Sequence, residues 1–243
     1  MGQAAALQLA KEGAKLSLVD LNENGLKETN DLVLEIAPDC ETLLITANVA
    51  KEEEVKNYVD ETVAKFGKID GLFNNAGVEG QQNLTEDYTS DEFNWVLDVN
   101  LNGVFYGMRY VLKEMKKQGF GSILNCASVG GIRGVGNQSG YAASKHGVIG
   151  LTRNSAIEYG QFNININAIA PGAFMTAMVE GSLRQMGGDN WEEVGKEFVK
   201  PNPMKRFGDP KELGHAVSYL LSDEAKFINA QVITIDGGQS YKY

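Results

Sequence analysis

Apolar runs of strand length recur along the chain, and segments with helical periodicity separate them. The runs predict six strands, at Lys15–Asp20, Glu41–Asn48, Ile69–Asn74, Ser122–Ala127, Ile164–Ala170 and Val232–Ile235. The other segments predict helices at Gly2–Gly13, Leu21–Ala37, Lys51–Phe66, Ser90–Lys117, Tyr141–Tyr159 and Pro210–Leu221. Such alternation is typical of an α/β protein whose strands run parallel. We therefore predict a Rossmann-like, doubly wound parallel sheet in a three-layer, single domain that spans residues 1–243.

The stretch from Ser128 to Lys145 carries the clearest chemistry. Ser128 stands at the carboxyl end of a predicted strand, and a glycine-rich loop leads from it into a helix. On that helix Tyr141 and Lys145 are four residues apart, so both side chains share one face. An ammonium group about 4 Å from a phenol can lower its pKa from about 10 by roughly 2–3 units. The spacing alone is a weak signal, because chance gives about 0.6 such pairs in this composition.

Further motifs surround this stretch in a fixed order, and together they carry a family resemblance. They are Asn74-Asn75-Ala76-Gly77, Asn100, Ser128, Tyr141-x-x-x-Lys145 and Pro171-Gly172. With these motifs, essentially the whole chain resembles the short-chain dehydrogenase/reductase family. The resemblance implies an enzyme that transfers a hydride between a nicotinamide cofactor and a ketone or secondary alcohol.

The resemblance also gives the catalytic residues their roles. Tyr141 is expected to exchange a proton with the reacting oxygen, and Ser128 to hydrogen-bond that oxygen as negative charge develops. Lys145 is expected to lower the pKa of Tyr141 and to hold the nicotinamide ribose. Asn100 is expected to orient a water that connects the lysine to solvent. From the residues alone Asn102 is an equal candidate for that role, and only the family pattern selects Asn100.

Asp20 indicates which dinucleotide binds. It lies 18 residues after Gly2, near the spacing at which an acidic residue receives the adenosine ribose hydroxyls. Its carboxylate would repel a 2′-phosphate, and the following Leu21 and Asn22 supply no cation, so we predict NAD rather than NADP. The alternative role for Asp20 is to cap the next helix. The resemblance implies further cofactor contacts from Gly2, Asn48, Val49, Asn75, Ala76, Gly77, Tyr141, Lys145, Pro171, Gly172, Phe174 and Thr176.

The chain departs from the family pattern in two places. A first strand and a glycine-rich turn should precede the helix that begins at Gly2, and that strand would lie mid-sheet beside the strand ending at Asp20. We therefore expect Met1 to be an internal methionine of a longer chain, with roughly 20 residues upstream. Asn48 stands where the family usually has aspartate, although its side-chain oxygen can still accept a hydrogen bond from adenine. Thr176 has the alternative role of capping the helix that follows it.

The substrate is harder to predict. Ala177–Arg206 is the variable, charged segment in the position of the family's substrate lid, with Gly187–Gly188 as a candidate hinge. The pocket-flanking segments resemble those of members that act on a cyclic ketone, so we expect a cyclic, largely apolar ketone. Glu79, Gln138 and Phe174 are candidates to line the pocket. The alternative is that the first two are ordinary polar loop residues and the third is a packing aromatic.

Other activities stay open at this point. Members of the same family with 3-oxoacyl, sugar or steroid substrates are alternatives. A non-catalytic dinucleotide-binding protein is a further one, although the complete Asn, Ser, Tyr and Lys set argues against it. A methyltransferase of similar fold has no supporting motif here.

The composition excludes several classes of binding partner. The net charge of −10 argues against nucleic acid and anionic membranes, and no apolar run approaches the roughly 20 residues that span a bilayer. No signal-peptide pattern is present, so we expect a cytoplasmic protein with Cys40 and Cys126 as buried free thiols. With only two histidines, we expect no metal site. The resemblance implies a homotetramer, in which the tail Gln239–Tyr243 is expected to contact a neighbouring subunit.

Overall fold

The structure, a computed structural model, describes residues 1–241. Its strands are β1 (Leu16–Asp20), β2 (Thr42–Thr46), β3 (Gly71–Asn74), β4 (Gly121–Cys126), β5 (Ile164–Pro171) and β6 (Val232–Ile235). Its α-helices are α1 (Gly2–Lys11), α2 (Glu23–Ile36), α3 (Glu52–Phe66), α4 (Ser90–Leu97), α5 (Gly103–Gln118), α6 (Ser139–Tyr159), α7 (Ala177–Gly187), α8 (Trp191–Val199) and α9 (Pro210–Leu221). Each predicted strand therefore exists, because the apolar runs mark the chain that must be buried.

All the strand pairs are parallel, as predicted, and the described strands form two hydrogen-bonded groups. β1 pairs with β2, and β3, β4, β5 and β6 pair in that order. β1 and β3 are not hydrogen-bonded to each other; a cavity of about 1020 Å³ has residues of both strands in its wall. Every residue of β5 is buried, as expected for a parallel strand that is covered on both faces.

Helices cover both faces of the larger sheet, which confirms the predicted three layers. On one face α3, α5 and α6 form a core in which Met108 and Val148 pack with Ile123 of β4. On the other face α9 and α1 pack Leu213 and Ala5 against Leu124. Among the described residues, none of the helices is both long and apolar enough to cross a membrane.

Local chemistry explains where several helices begin and end. Asp209 and Glu212 form a reciprocal capping box at the start of α9, with Pro210 in its first turn. Gly67 and Gly119 end α3 and α5 in the left-handed conformation, which a residue without a Cβ adopts easily. The predicted helix Ser90–Lys117 is interrupted by a π-helical turn at residues 98–102.

The segments outside the main layers agree only partly with the predictions made from the sequence. The predicted lid contains α7 and α8, and Gly188 between them has a positive φ of 54°, as a hinge or turn requires. Both cysteines are free, but Cys40 is only half-buried, because it stands between α2 and β2 with its thiol near the Ala14 carbonyl. Of the tail 239–243, the last two residues lie outside the described part of the chain, and residues 239–241 form one 3₁₀ turn.

Candidate active site

The carboxyl ends of β3, β4 and β5 lie at one edge of the sheet, and the predicted catalytic residues gather there. Ser128 follows β4 in an extended conformation and is 8% exposed. Its hydroxyl accepts a hydrogen bond from the Gly130 amide at 3.0 Å, which fixes the side chain. Ligands of open α/β sheets bind at this edge.

Tyr141 and Lys145 occupy one face of α6, as their spacing predicts. The Lys145 Nζ lies 5.7 Å from the centre of the Tyr141 ring and donates a hydrogen bond of 2.8 Å to the Cys126 carbonyl. That carbonyl is at the end of β4, two residues before Ser128. At Gly130 a Cβ would come within 3.3 Å of the Tyr141 ring, so the glycine lets the loop pass close to the phenol. The structure therefore brings the serine, the tyrosine and the lysine together.

Burial is the main influence on the pKa values of Tyr141 and Lys145. Burial raises the pKa of Tyr141 well above its ordinary value, and the interaction with Ser128 only partly offsets that effect. Burial lowers the pKa of Lys145. The expected lowering of the Tyr141 pKa by the lysine stays a prediction. Burial disfavours the phenolate and acts against it, and the Lys145 ammonium is directed at the Cys126 carbonyl.

Asn100 lies in the π-helical turn between α4 and α5 and is fully buried. Its side chain accepts a hydrogen bond from the Val78 amide at 2.7 Å and donates to the Val78 carbonyl at 2.8 Å and to the Ser144 hydroxyl at 3.1 Å. Asn102 instead donates to the exposed Asp98. Of the two asparagines that the sequence left open, only Asn100 reaches the catalytic side of α6.

Gly77 lies between Asn100 and Lys145. A Cβ there would come within 3.1 Å of the Asn100 side-chain oxygen and 3.4 Å of the Lys145 Nζ. The end of the Asn75-Ala76-Gly77 segment therefore lies close to the lysine. A bulkier residue at Gly77 would push into this contact.

The predicted adenosine end is built by β1, α1 and the loop after β3. The Asp20 carboxylate is exposed and accepts from the Asn22 amide at 2.9 Å, but the cap of α2 is Asn22, so the alternative role of Asp20 as the helix cap was a wrong prediction. Within residues 1–241, no side chain caps the N-terminus of α1 at Gly2, and the buried Asn75 Oδ1 has no partner. Free amides and an unused acceptor are what a dinucleotide requires, so these residues fit the cofactor.

Asn48 and Val49 follow β2. The Asn48 Oδ1 already accepts from the Ala50 amide at 3.0 Å, which leaves one lone pair for adenine. The Val49 side chain and carbonyl lie against Gly103, where a Cβ would come within 3.0 Å of them. This approach holds the loop after β2 against the start of α5.

The segment after β5 contains the predicted nicotinamide contacts. Pro171 ends β5, and the Gly172 amide donates to the Ile235 carbonyl. Phe174 is 4% exposed and packs in the core, where a Cβ at Gly208 would come within 2.4 Å of its ring. Phe174 is thus a packing aromatic, and its side chain as a substrate contact was a wrong prediction. The Thr176 hydroxyl caps α7 through the Val179 amide at 3.4 Å, the second of its two predicted roles.

Glu79 and Gln138 are joined in a polar cluster that the sequence did not predict. The Glu79 carboxylate accepts from Gln138 and, at 2.9 Å, from the Ser182 hydroxyl of α7. Gln82 also donates to Ser182, at 2.7 Å. Burial raises the pKa of Glu79, and these hydrogen bonds partly offset that effect. Ser182 is 103 residues from Glu79, and no sequence signal connects them.

Comparison with known proteins identifies the family. A family model described as Enoyl-(Acyl carrier protein) reductase matches residues 1–240. Levodione reductase of Leifsonia aquatica is 56% identical over 243 residues, which is 100% of this chain and 91% of the relative. The chain belongs to the short-chain dehydrogenase/reductase family. The crystal structure of levodione reductase covers 99% of this chain, and the chain 93% of it, with a TM-score of 0.98.

The chain is also similar to proteins that share less of its sequence. Cyclohexanol dehydrogenase of Acinetobacter sp. (strain SE19) is 36% identical over 242 residues, 100% of this chain and 91% of the relative. A structure of NAD⁺-bound xylitol dehydrogenase is 35% identical with a TM-score of 0.90, covering 97% of this chain and 93% of its own. A structure of actinorhodin polyketide ketoreductase with NADPH is 33% identical with a TM-score of 0.92, and the match covers 98% of this chain and 92% of the ketoreductase chain. The predictions of an enzyme, and of oxidation and reduction at a CH–OH carbon with a nicotinamide cofactor, are confirmed.

Proposed function

We propose that this enzyme reduces a cyclic ketone to the secondary alcohol with NADH, and that it catalyses the reverse oxidation. The juxtaposition of Ser128, Tyr141 and Lys145 at the carboxyl end of β4 carries the proposal. The nicotinamide supplies and accepts the hydride when it is bound. The protein residues bind the carbonyl oxygen and move the proton.

In the proposed reduction Tyr141 gives its phenolic proton to the oxygen of the ketone as the carbonyl carbon gains the hydride. Ser128 hydrogen-bonds the same oxygen while negative charge develops on it. Because burial raises the pKa of Tyr141, the phenol keeps its proton at neutral pH, which favours reduction. Lys145 is proposed to hold the nicotinamide ribose, and Asn100 to connect the lysine to solvent through a water.

NAD is proposed over NADP because an exposed carboxylate, Asp20, ends β1 and no cation follows it at Leu21 or Asn22. Gly2, Asn75 and Ala76 line the same cavity and are proposed to hold the adenosine and pyrophosphate end. The test is kcat/KM with NADH and with NADPH. We expect at least tenfold preference for NADH in the wild-type protein, and Asp20→Ala should weaken it. Equal use of both dinucleotides by the wild-type protein would contradict the proposal.

A cyclic, largely apolar ketone is proposed because the 56% identical relative is a levodione reductase and a further relative is a cyclohexanol dehydrogenase. The Glu79 and Gln138 cluster beside α7 is proposed to form the polar wall of the substrate pocket, with residues 177–206 as its lid. A panel of cyclic ketones, 3-oxoacyl thioesters, sugars and steroids with NADH tests this. Preference for a thioester or a sugar would refute the cyclic ketone.

Two properties of the whole molecule are also proposals. A cytoplasmic homotetramer is expected from the resemblance, and the large apolar side chains that stay exposed on the helices, such as Ile157 and Phe105, are consistent with subunit contacts. Light scattering of the purified protein tests the tetramer. A monomer at micromolar concentration would refute it.

A further inference from the structure

Asn202 is a buried polar residue to which the proposed mechanism gives no role. It follows α8, near the end of the segment 177–206 that is proposed as the substrate lid, and it is 3% exposed. Its side-chain amide donates a hydrogen bond of 2.9 Å to the Asp236 carbonyl, and its side-chain oxygen accepts from the Met204 amide at 2.8 Å. The first of these hydrogen bonds reaches 34 residues along the chain, to the turn after β6. One side chain therefore ties the end of the lid to the end of the sheet.

The turn after β6 contacts both Asn202 and the segment that follows β5. At Gly237, which has a positive φ of 64°, a Cβ would come within 2.7 Å of the Asn202 side-chain oxygen. At Gly172 a Cβ would come within 2.6 Å of the Asp236 Cβ. The Gly172 amide also donates to the Ile235 carbonyl at 2.9 Å. Glycine is required at both positions, because the backbone approaches its neighbour too closely for a side chain.

The Asp236 side chain closes this turn. Its carboxylate accepts hydrogen bonds from the Gly238 amide at 2.9 Å and from the Ser240 amide at 2.7 Å. Coupling between sites is carried by packed groups, hydrogen-bond networks and rigid elements of this kind. We therefore expect a displacement at Asn202 to pass through the turn to Gly172.

The lid is also fixed where it joins the rest of the protein. Phe174 and Gly208 form a parallel β-bridge, and the Gly208 amide donates to the Ala173 carbonyl at 2.9 Å. The chain between them, which includes α7 and α8, is therefore a loop with a hydrogen-bonded stem. Asn202 lies six residues before Gly208 and gives this loop a second fixed point.

We propose that Asn202 is a positioning residue, which sets the segment at Gly172 against the lid through its hydrogen bond to Asp236. This inference rests on the proposed function, in which the segment after β5 holds the nicotinamide and residues 177–206 cover the substrate. Reacting atoms must lie about 3–3.5 Å apart and be aligned, and a misplacement of about 1 Å caused by a distant residue can slow a reaction about a hundredfold. Loss of the hydrogen bond should therefore slow hydride transfer more than it weakens binding.

The variant Asn202→Asp separates the two hydrogen bonds of the side chain. A carboxylate has the same shape and can still accept from the Met204 amide, but it has no donor for the Asp236 carbonyl. At pH 9 the new aspartate is ionised even where burial raises its pKa by several units. At this pH we expect kcat for ketone reduction to fall at least tenfold, while the Kd of NADH and the KM of the ketone change less than threefold.

Asn167→Asp is the matched control, because Asn167 is 1% exposed and makes the same two kinds of hydrogen bond. Its side-chain amide donates to the Ile228 carbonyl at 2.6 Å, and its side-chain oxygen accepts from the Gln231 amide at 3.0 Å. The same substitution there buries a carboxylate without removing a hydrogen bond to Asp236. We expect Asn167→Asp to keep kcat within threefold of the wild-type value.

Hydrogen exchange at the Gly172 amide gives a readout that does not depend on catalysis. The Ala127 amide, which is bonded to β5 at the same edge of the sheet, is the reference. We expect Asn202→Asp to raise the exchange rate of Gly172 relative to Ala127 at least tenfold, and Asn167→Asp to leave the ratio unchanged. A wild-type protein that reduces no ketone would refute the proposed function, and the exchange ratio would still decide the role of Asn202.

The proposal is overturned if kcat of Asn202→Asp falls less than tenfold, if the Gly172 exchange ratio does not rise, or if Asn167→Asp loses as much kcat. Should Asn202→Asp fail to fold, Asn202→Ala removes the same hydrogen bond without burying a charge. The alanine variant is expected to show the same fall in kcat and the same rise in exchange at Gly172. Absence of either effect in that variant would overturn the proposal.

Discussion

Replacing Asn100 by alanine removes a buried side chain on which two parts of the site depend. The asparagine satisfies both the amide and the carbonyl of Val78 and also donates to Ser144. Alanine would leave the two Val78 groups without their partner, and a buried unsatisfied polar group costs about 1–3 kcal/mol. We therefore expect Asn100→Ala to lower the free energy of unfolding by about 2–5 kcal/mol, a large share of the roughly 5–15 kcal/mol typical of a domain.

Urea denaturation monitored by circular dichroism measures this change, with the matched variant Asn102→Ala as control. Asn102 makes one local hydrogen bond to an exposed aspartate, so its replacement should cost under about 1 kcal/mol. Ketone reduction by Asn100→Ala, assayed where the variant is still folded, should also fall at least tenfold, because the loop beside Lys145 loses its anchor. Equal stability losses in the two variants would refute the assignment of Asn100 as the anchor of Val78.

Three further predictions follow from single contacts. Asp209→Ala should lower the free energy of unfolding by about 1 kcal/mol, because it removes the capping box of α9, and a thermal melt with unchanged turnover would confirm it. Gly77→Ala should reduce kcat about tenfold with little loss of stability. The reason is that the new Cβ would lie 3.1 Å from the Asn100 side-chain oxygen and 3.4 Å from the Lys145 Nζ. An unchanged kcat would show that the neighbouring side chains move aside freely. A pH titration of the cofactor-free protein, followed by the absorbance difference at 295 nm between wild type and Tyr141→Phe, reports the ionisation of Tyr141. It should show no phenolate step below about pH 10, because burial raises the pKa of Tyr141. A step near neutral pH would mean that the charge of Lys145 dominates.

The sequence predicts the elements of this fold well and their long-range contacts poorly. Strands such as Ile164–Pro171 are recognisable because burial on both faces demands an uninterrupted apolar run. The positions of Tyr141 and Lys145 follow from helical geometry alone. In contrast, the π-helical turn at Asn100 depends on hydrogen bonds to Val78, 22 residues away, which no local pattern encodes.

The same limit applies to charge and to pairing. The ionisation of Tyr141 is set by how completely the folded protein removes water from the phenol, and the one-turn spacing of the lysine does not contain that information. The link from Glu79 to Ser182 joins a loop to a helix 103 residues later.

The central claim is that Tyr141, beside Ser128 and Lys145, transfers the proton during carbonyl reduction. The most direct test is a comparison of wild type and Tyr141→Phe in single-turnover oxidation of NADH with a cyclic ketone, with NADH affinity measured separately by fluorescence. Positioned acid–base catalysis typically contributes about 10²–10⁴-fold, so we predict at least a hundredfold slower turnover in the variant with NADH affinity little changed. Turnover by Tyr141→Phe within tenfold of wild type would contradict the account.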